Sequence, residues 1–427
     1  MAAQAFRPDI SSALAGPEWL RRLRADAARR FDEAELPTTD LEEWRYSRID
    51  DLDLDAFAPA ALGDTASDLP TELAATVHSI GASAGRVVAV DGHIVSIELD
   101  RAVAALGVHF GRLADLDAAP IVAGAGVVVD PFDDLNLAFS SDPVALVVPR
   151  GVVVDLPFVV VSAVHAGGRA SFPHLVVVAR ENSQCRVVEL SGSADVAALV
   201  VPRTIVHVEQ AARVALVSVQ QLGAEVTQLG GLLATVGQSA QLDAVHSAMG
   251  GGYARMRSDC VLAGRGGTGN LSALYFGKGD QMHDLRTFQT HDAPDTTSNL
   301  LFKGVVDDRA RSVYTGLIRV GHEARGTNAN QTNRNIKLSE EAWAESVPNL
   351  EIHQNDVRCS HASAVGPIDA DQRFYLESRG VPPEVAERLV VAGFFEEVID
   401  ELADSGLAAS IRGQVANKLD TAAEVSS

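Results

Sequence analysis

The segment V-V-V-A-R-E-N-S-Q-C-R-V-V-E-L, residues 176–190, is the first of four segments with one arrangement: a β-branched run, a short polar turn and a second β-rich run. The same order returns at residues 205–219, 232–245 and 260–274. The four turns begin near Glu181, Glu209, Gly237 and Gly264. They recur with a period of about 28 residues, which is typical of repeat architectures. Because the repeat contains strands without helices, it predicts a coiled β-solenoid in which each coil pairs with its neighbours.

A β-sandwich is the alternative interpretation of these strands. A sandwich tolerates irregular spacing, so the regular period favours the solenoid. The polar run T-N-A-N-Q-T-N-R-N at residues 327–335 agrees with this choice, since Asn suits turns and its amide can hydrogen-bond between stacked coils. The β-rich character extends from about Gly85 to Val365, and no amphipathic helix of ordinary length is evident within it.

Helical patterns flank the β-rich region on both sides. Residues 1 to about 80 are predicted to be mainly helical. Further helices are expected over Asp369–Ser378, from Pro383 and after Gly406, where apolar residues recur at helical spacing. These helices can cap the solenoid, or they can present an apolar face to another protein.

Composition narrows the class of protein. The formal net charge of -22 over 427 residues repels phosphate backbones, so nucleic-acid binding is not expected. Three widely spaced cysteines form no disulfide framework and fit a reducing compartment. The N-terminus lacks the apolar segment of a signal peptide, and no apolar run reaches the length of a membrane span. We therefore predict a cytoplasmic protein.

Several chemistries lack their sequence signatures. No P-loop is present, because G-R-G-G-T-G-N-L at residues 264–271 has no Lys before a hydroxyl residue, so any ATP hydrolysis would belong to a partner. No zinc-type Cys pair or nucleophile elbow occurs. An intracellular β-helix enzyme acting on polysaccharide would need clustered carboxylates on one solenoid face. Five polar residues could supply such a cluster, but we expect them to be loop residues: Asp280, His283, Asp284, Arg286 and His291.

The strongest candidate site lies between Pro348 and Gly366, where Cys359 and His361 stand two residues apart. Alternate residues of a strand share a face, so one unbroken strand would align six side chains. These are Glu351, His353, Asn355, Val357, Cys359 and His361. A thiolate and an imidazole suit iron, but two ligands are too few for a closed metal site, and a second subunit would have to supply the others. The alternative is a half-buried cysteine beside a surface histidine.

The sequence around this site resembles the SufB/SufD family of iron–sulfur cluster assembly proteins. The resemblance rests on Asn349–Gly380, Thr327–Ser339, His291–Gly304 and L-E-E-W-R-Y-S at Leu41–Ser47. The triplet C-S-H and the W-R-Y segment look more like the SufD branch than the SufB branch. One departure is Ala362, where the family usually has Gly after C-S-H; Ala still permits a small turn.

The resemblance implies a mainly β fold, with a right-handed parallel β-helix core at 85–366 between helical domains at 1–84 and 367–427. It implies a non-enzymatic scaffold that pairs with a SufB-like paralogue and shares a transient iron–sulfur cluster with it. On that analogy His361 is the functional histidine and Cys359 the motif cysteine. A SufC-like ABC ATPase would dock on the C-terminal helices. The docking residues implied are Phe374, Tyr375, Arg379, Gly380, Val385, Leu389, Phe394 and Phe395. A homodimer without the partner and a purely structural adaptor remain open.

Overall fold

The computed structural model describes residues 4–60, 68–116 and 129–420, and its centre is a parallel β-solenoid. The strands alternate between two sheets along most of the chain. The strands are β1 (Ala58–Pro59), β2 (Gly85–Val90), β3 (His93–Leu99), β4 (His109–Arg112), β5 (Val144–Val148), β6 (Phe158–Val164), β7 (Arg169–Ser171), β8 (His174–Ala179), β9 (Gln184–Ser193), β10 (Ala198–Val200), β11 (Arg203–Val208), β12 (Arg213–Gln221), β13 (Val226–Val236), β14 (Gln241–Ala248), β15 (Tyr253–Leu262), β16 (Thr268–Gly277), β17 (Met282–His291), β18 (Thr297–Val306), β19 (Arg311–Val320), β20 (Asn328–Lys337), β21 (Trp343–Ile352) and β22 (Arg358–Pro367).

Helices precede, interrupt and follow these strands. They are α1 (Pro8–Ser12), α2 (Glu18–Glu33), α3 (Thr71–Ile80), α4 (Arg101–Ala105), α5 (Pro131–Phe139), α6 (Ala370–Ser378), α7 (Pro383–Ile399) and α8 (Ser405–Asp420). In the residues that the structure describes, no helix has both the length and the apolar character needed to cross a membrane.

The predicted repeat is confirmed by the register of the strands. Even-numbered strands from β12 to β22 stack in parallel, and odd-numbered strands from β11 to β21 stack opposite them. One corner of the coil repeats a residue with positive φ. This residue is Asn182, Ala211, Ser239, Gly266 and Asp295 in successive coils. At this corner the chain turns in a left-handed backbone conformation, which Gly and Asn adopt most easily. The parallel pairing of successive coils excludes the β-sandwich alternative, whose sheets are antiparallel.

Columns of inward-facing side chains fill the solenoid. One column in the sheet that ends in β22 runs Val187, Leu216, Ala244, Leu271, Leu300, Gln331 and His361. The first five are buried apolar residues of the core. Burying each large aliphatic side chain contributes roughly 1.5–3 kcal/mol. Because a single coil could not bury its own apolar face, the coils are stable only when they stack on one another.

The two ends of the solenoid differ. At the N-terminal end, β3 and β4 pair antiparallel with β2 and β5, which ends the run of parallel coils. At the C-terminal end, β21 and β22 are the last strands of their sheets, and each has one edge without a neighbouring strand in the described chain. Unpaired backbone groups at such an edge are a template for a further strand.

Flanking segments cover the outer faces of both sheets. Helices α3, α7 and α8 pack on the sheet that ends in β22. The W-R-Y segment lies on the other sheet, where the guanidinium of Arg255 stacks 3.7 Å from the centre of the Trp44 ring. Arg286 donates to the Arg45 carbonyl at 2.7 Å and pairs with the buried Asp284. The stacking of Arg255 on Trp44 and the hydrogen bond from Arg286 hold the N-terminal segment on this sheet, while Asp284 orients the Arg286 guanidinium.

Two expectations about local structure were wrong. Helix α5 lies inside the β-rich region, where it packs on α2 and its Asp134 accepts from Arg30 at 2.6 Å. Its nine residues are too few for a clear helical period. The polar run at 327–335 forms most of strand β20 rather than a turn. The expected amide contacts between coils are present, because Asn330 donates to Asn299 at 3.3 Å.

Candidate functional site

The candidate site lies on the last coil, and its strand is broken. Strand β21 ends at Ile352 and β22 begins at Arg358, in the opposite sheet. The prediction that Glu351 and His353 share a face with Cys359 and His361 was therefore wrong. The turn at residues 353–357 moves the chain from one sheet to the other, and sequence alternation cannot reveal such a corner.

Cys359 and His361 both continue inward-facing columns of the solenoid. Cys359 is in register with Ala329 and His361 with Gln331, and both of those residues are buried in the interior. Within the described residues no further coil covers β22, so His361 is exposed and Cys359 is half-buried. The interior of the solenoid thus opens at these two side chains, a thiol and an imidazole.

The three cysteines differ in their surroundings. Cys185 and Cys260 are fully enclosed, and burial raises the pKa of each thiol to about 12. Partial burial also raises the pKa of Cys359, while a hydrogen bond with the Ala329 backbone opposes this effect. The thiolate is the form of cysteine that binds metals and acts as a nucleophile. A nearby cation or proton acceptor would increase the fraction of Cys359 in this form. Among the three, only Cys359 is accessible at all.

Two polar side chains in the last two coils of the solenoid lack hydrogen-bond partners. The amide of Gln331 is buried, and neither its oxygen nor its nitrogen is paired; the buried hydroxyl of Ser346 is also unpaired. The Gln331 amide lies against Gly316, where a Cβ would come within 2.3 Å of its nitrogen. Unpaired buried polar groups are costly and usually rare. Sequence reasoning missed both, because their orientation depends on the register of the coils.

His353 belongs to a separate cluster on the corner of the last coil. Its Nε2 lies 2.8 Å from Glu351 Oε1, and its ring centre is 5.1 Å from that of His322. Together with Arg319, His353 holds the pKa of Glu351 below its usual range. In the described parts of the chain, no three His, Cys, Asp or Glu side chains come together in a way that could hold a metal ion.

The polar cluster considered for an enzyme is dispersed and largely buried. His283, Asp284, Arg286 and His291 lie within strand β17 and are buried, so the expectation that they are loop residues was wrong. His283 bonds the Gly250 carbonyl, His291 bonds Thr296 and Ser298, and Asp284 pairs with Arg286. Asp280 lies apart in the preceding turn, paired with Arg309. None of these contacts forms a carboxylate-lined groove.

The C-terminal helices divide the predicted docking residues into two groups. Phe374 is 70% exposed and Tyr375 58% exposed, and Val385 and Leu389 are exposed as well. Arg379 stacks over Tyr375, 5.3 Å from the ring centre, and Gly380 ends this corner with φ 85°. Phe395 is fully buried against the solenoid, and Phe394 is partly covered beside Lys303. Phe395 therefore belongs to the core, because its helix lays that face on the sheet.

Comparison with known proteins gives one family. Residues 161–394 match the family described as SUF system FeS cluster assembly, SufBD core domain. The chain is 28% identical over 407 residues to the Bacillus subtilis iron-sulfur cluster assembly protein SufD, which covers 92% of each chain. It is 33% identical over 171 residues, 40% of each chain, to the Escherichia coli protein of the same name. An iron–sulfur cluster assembly SufBD family protein of Mycobacterium bovis is 38% identical over 204 residues, 46% of this chain and 51% of the relative. The chain thus spans about half the length of that relative.

Proposed function

The chain belongs to the SufBD family, and from that premise we propose that it is a non-enzymatic, SufD-like scaffold subunit in iron–sulfur cluster assembly. The observation that carries the proposal is the pair Cys359 and His361 at the open end of the solenoid. Both side chains lie on β22, a strand with one unpaired edge. An edge strand can pair with another chain, and that chain would then meet both side chains at once.

The cluster is the cargo of this site, shared between two subunits. Thiolate and imidazole both ligate iron in iron–sulfur clusters. His361 and Cys359 supply at most two ligands, so a SufB-like paralogue paired along β21 and β22 would supply the rest. His361 is the stronger ligand because it is exposed, whereas Cys359 is half-buried and its thiol pKa is raised.

An ABC-type ATPase, SufC-like, would dock on the C-terminal helices. The exposed aromatic pair Phe374 and Tyr375, with Val385 and Leu389 beyond it, is the kind of apolar patch that marks a protein contact. Arg379 holds the Tyr375 ring from one side. ATP hydrolysis belongs to that partner, and the chain transmits its effect.

The helices are fastened to the solenoid by two lysines, which supports such transmission. Lys303 on β18 donates to the Phe394 carbonyl at 2.8 Å and pairs with Glu397 on α7. Lys418 on α8 donates to the Phe276 carbonyl at 2.6 Å. A displacement of the helices by ATPase dimerisation would therefore pull on the sheet that ends in β22 and open the shared interface.

Anaerobic reconstitution of the co-expressed complex with iron and sulfide tests the proposal. His361→Ala should lower bound iron and acid-labile sulfide several-fold while the complex still copurifies. His353→Ala is the matched control, because His353 is also an exposed histidine of the last coil but lies in its corner, against Glu351 and His322. The cluster content of this variant should equal that of the wild type. A wild-type cluster content in the His361→Ala complex would contradict the ligand role.

Three further predictions belong to this proposal. The first is that the chain has three domains: a mainly helical domain at 1–84, the β-helix core at 85–366 and a helical domain at 367–427. The protein works in the cytoplasm, where its three cysteines remain reduced. Without its paralogue, the chain can pair with a second copy through the same edge strands.

A further inference from the structure

A ladder of polar side chains crosses the outer face of the solenoid and ends inside the C-S-H triplet. In register, from coil to coil, it consists of Asp243, Asn270, Asn299, Asn330 and Ser360. The contact distances are 2.7 Å from Asn270 to Asp243, 3.2 Å from Asn299 to Asn270, 3.3 Å from Asn330 to Asn299, and 2.6 Å from Ser360 to Asn330. The ladder begins at Asp243 because the preceding register partner, Ala215, carries no polar group.

Every hydrogen bond of the ladder points in the same direction, and the chemistry of Asp243 explains why. An ionised carboxylate accepts hydrogen bonds and donates none. Asn270 must therefore turn its amide nitrogen to Asp243, which leaves its oxygen for Asn299, and the same constraint passes along to Asn330. Gln241 also donates to Asp243, at 2.8 Å. Amide orientations are often ambiguous, but an acceptor-only end determines the whole series.

At the last coil this direction determines what Ser360 can offer. A hydroxyl has one donor, and Ser360 uses it on the Asn330 oxygen. The Ser360 oxygen can still accept a hydrogen bond through its lone pairs. Ser360 belongs to β22, and the outer edge of this strand has no neighbouring strand in the described chain. Ser360 is exposed, and a residue opposite it on an added strand would lie about 5 Å away between Cβ atoms. The edge therefore presents an acceptor there.

We propose that the ladder selects the strand that pairs with β22, because it fits a strand carrying a hydrogen-bond donor side chain opposite Ser360: an amide, hydroxyl, guanidinium or ammonium group. The inference rests on the edge pairing in the proposed function and adds its chemistry. A partner with Asp or Glu at that position would set lone pairs against lone pairs. Selection by one such position resembles the specificity that single polar residues give to coiled coils.

The ladder also favours a paralogue over a second copy. In an antiparallel pair of two β22 strands, the outward residues facing each other would come from Arg358, Ser360, Ala362, Ala364 and Gly366. Ser360 is already committed as a donor to its own Asn330, and the Ala and Gly residues have no donor. Only a register that sets Arg358 opposite Ser360 would complete the ladder, so few self-pairings are satisfied.

The direction of the ladder is tested on the chain alone. Ser360→Asp puts an acceptor-only group at each end, so one contact along the ladder must fail, and the melting temperature should fall. Asp243→Asn removes the first acceptor-only end and lets all the amides reverse. The double variant Asp243→Asn/Ser360→Asp should recover at least half of the loss, although the two sites are four coils apart, roughly 19 Å. Additive effects would overturn the inference, since sites this distant are otherwise independent.

The partner preference is tested by the affinity for the co-expressed SufB-like paralogue. Ser360→Asn keeps one donor for Asn330 and one acceptor for the partner, so its Kd should stay within about twofold of wild type. Ser360→Ala should weaken binding roughly threefold, and Ser360→Lys, which only donates, roughly tenfold. Tighter binding by Ser360→Lys would reveal an acceptor opposite and overturn the inference.

The outcomes separate this inference from the function it rests on. If the wild type binds the paralogue and all variants at residue 360 bind equally, the ladder has no role and the shared scaffold stands. If the wild type does not bind the paralogue, the pairing proposed above fails and the partner selection fails with it.

Discussion

The middle coils of the solenoid and its last coil are built from the same columns of side chains, yet they do different things. In the middle, an inward residue such as Leu271 is buried between coils on both sides. In the last coil, His361 continues the same column and is exposed. The comparison shows that an inward-facing residue becomes accessible to a ligand or partner because of its place in the last coil, and not because of its orientation on the strand. A repeat protein can therefore place a reactive group simply by ending there.

The largest expected effect compares two residues of that one column. Leu271→Ala should lower the free energy of unfolding by about 2–5 kcal/mol, because it leaves a cavity in a closed coil. His361→Ala should change it by less than about 0.5 kcal/mol, since the side chain is exposed. Urea unfolding of both variants measures the difference. Equal losses would mean that the end of the solenoid is closed by something other than a partner.

A second prediction concerns a carboxyl group inside the middle coils. Glu189 lies at a lumen cavity of about 60 Å³ together with Thr204 and His246, and burial raises the pKa of Glu189 to about 7 while the hydrogen bond from Thr204 lowers it. The raised pKa means that the folded state prefers the protonated form, so stability is lost as the pH rises from the ordinary value of 4.5 through about 7, and it changes little at higher pH. Glu189→Gln should raise the free energy of unfolding by up to about 3 kcal/mol at pH 8 and by almost nothing at pH 4.5.

The neighbouring histidine provides the control for this pH dependence. Burial lowers the pKa of His246 to about 4, so it destabilises the fold in acid to the same extent in both proteins. The difference between wild type and Glu189→Gln in thermal scans from pH 4.5 to pH 8 isolates the carboxyl group. A difference that does not grow with pH would show that Glu189 is solvated inside the cavity.

A smaller effect is expected where the middle meets the last coil. Gln331→Met should raise the free energy of unfolding by about 1 kcal/mol, because it removes a buried amide whose two polar atoms are unpaired. Asn333→Leu, two residues along the same strand, is the matched control. Its amide donates to Tyr275 Oη at 3.0 Å and to the Phe302 carbonyl at 3.1 Å, so its replacement should cost about 1–3 kcal/mol. Destabilisation by Gln331→Met would indicate that its amide is paired in solution.

The last prediction has the smallest expected effect on stability and concerns the accessibility of the three cysteine thiols. A disulfide reagent at pH 8 should modify one thiol of the native protein and three after unfolding, because Cys185 and Cys260 are enclosed and Cys359 is not. The rate should rise with pH, since burial raises the thiol pKa of Cys359. Cys359→Ser should leave no fast-reacting thiol. Rapid modification of a second thiol would show that the middle coils open.

Sequence reasoning succeeded where the signal repeats. The strand-and-turn period returned several times, so errors at single positions did not matter, and the solenoid was correctly anticipated, as was the helix that follows it. It failed at single events. The corner between β21 and β22, helix α5 and the buried state of Phe395 each occur once and depend on neighbours far along the chain.

The sequence alone contained the solenoid repeat, the helical flanks and the Cys-Ser-His triplet, because each is written in consecutive residues whose period or identity is visible. Tertiary contacts determined the rest. Only the stacking of the coils showed that Cys359 and His361 lie at the open end of the interior. It also showed that the Gln331 amide next to them has no hydrogen-bond partner, and that Ser360 is the last residue of the ladder that begins at Asp243. The physical reason is register: residues some 30 positions apart become neighbours only when coils pair, and this pairing sets which groups are buried, satisfied or left for a partner.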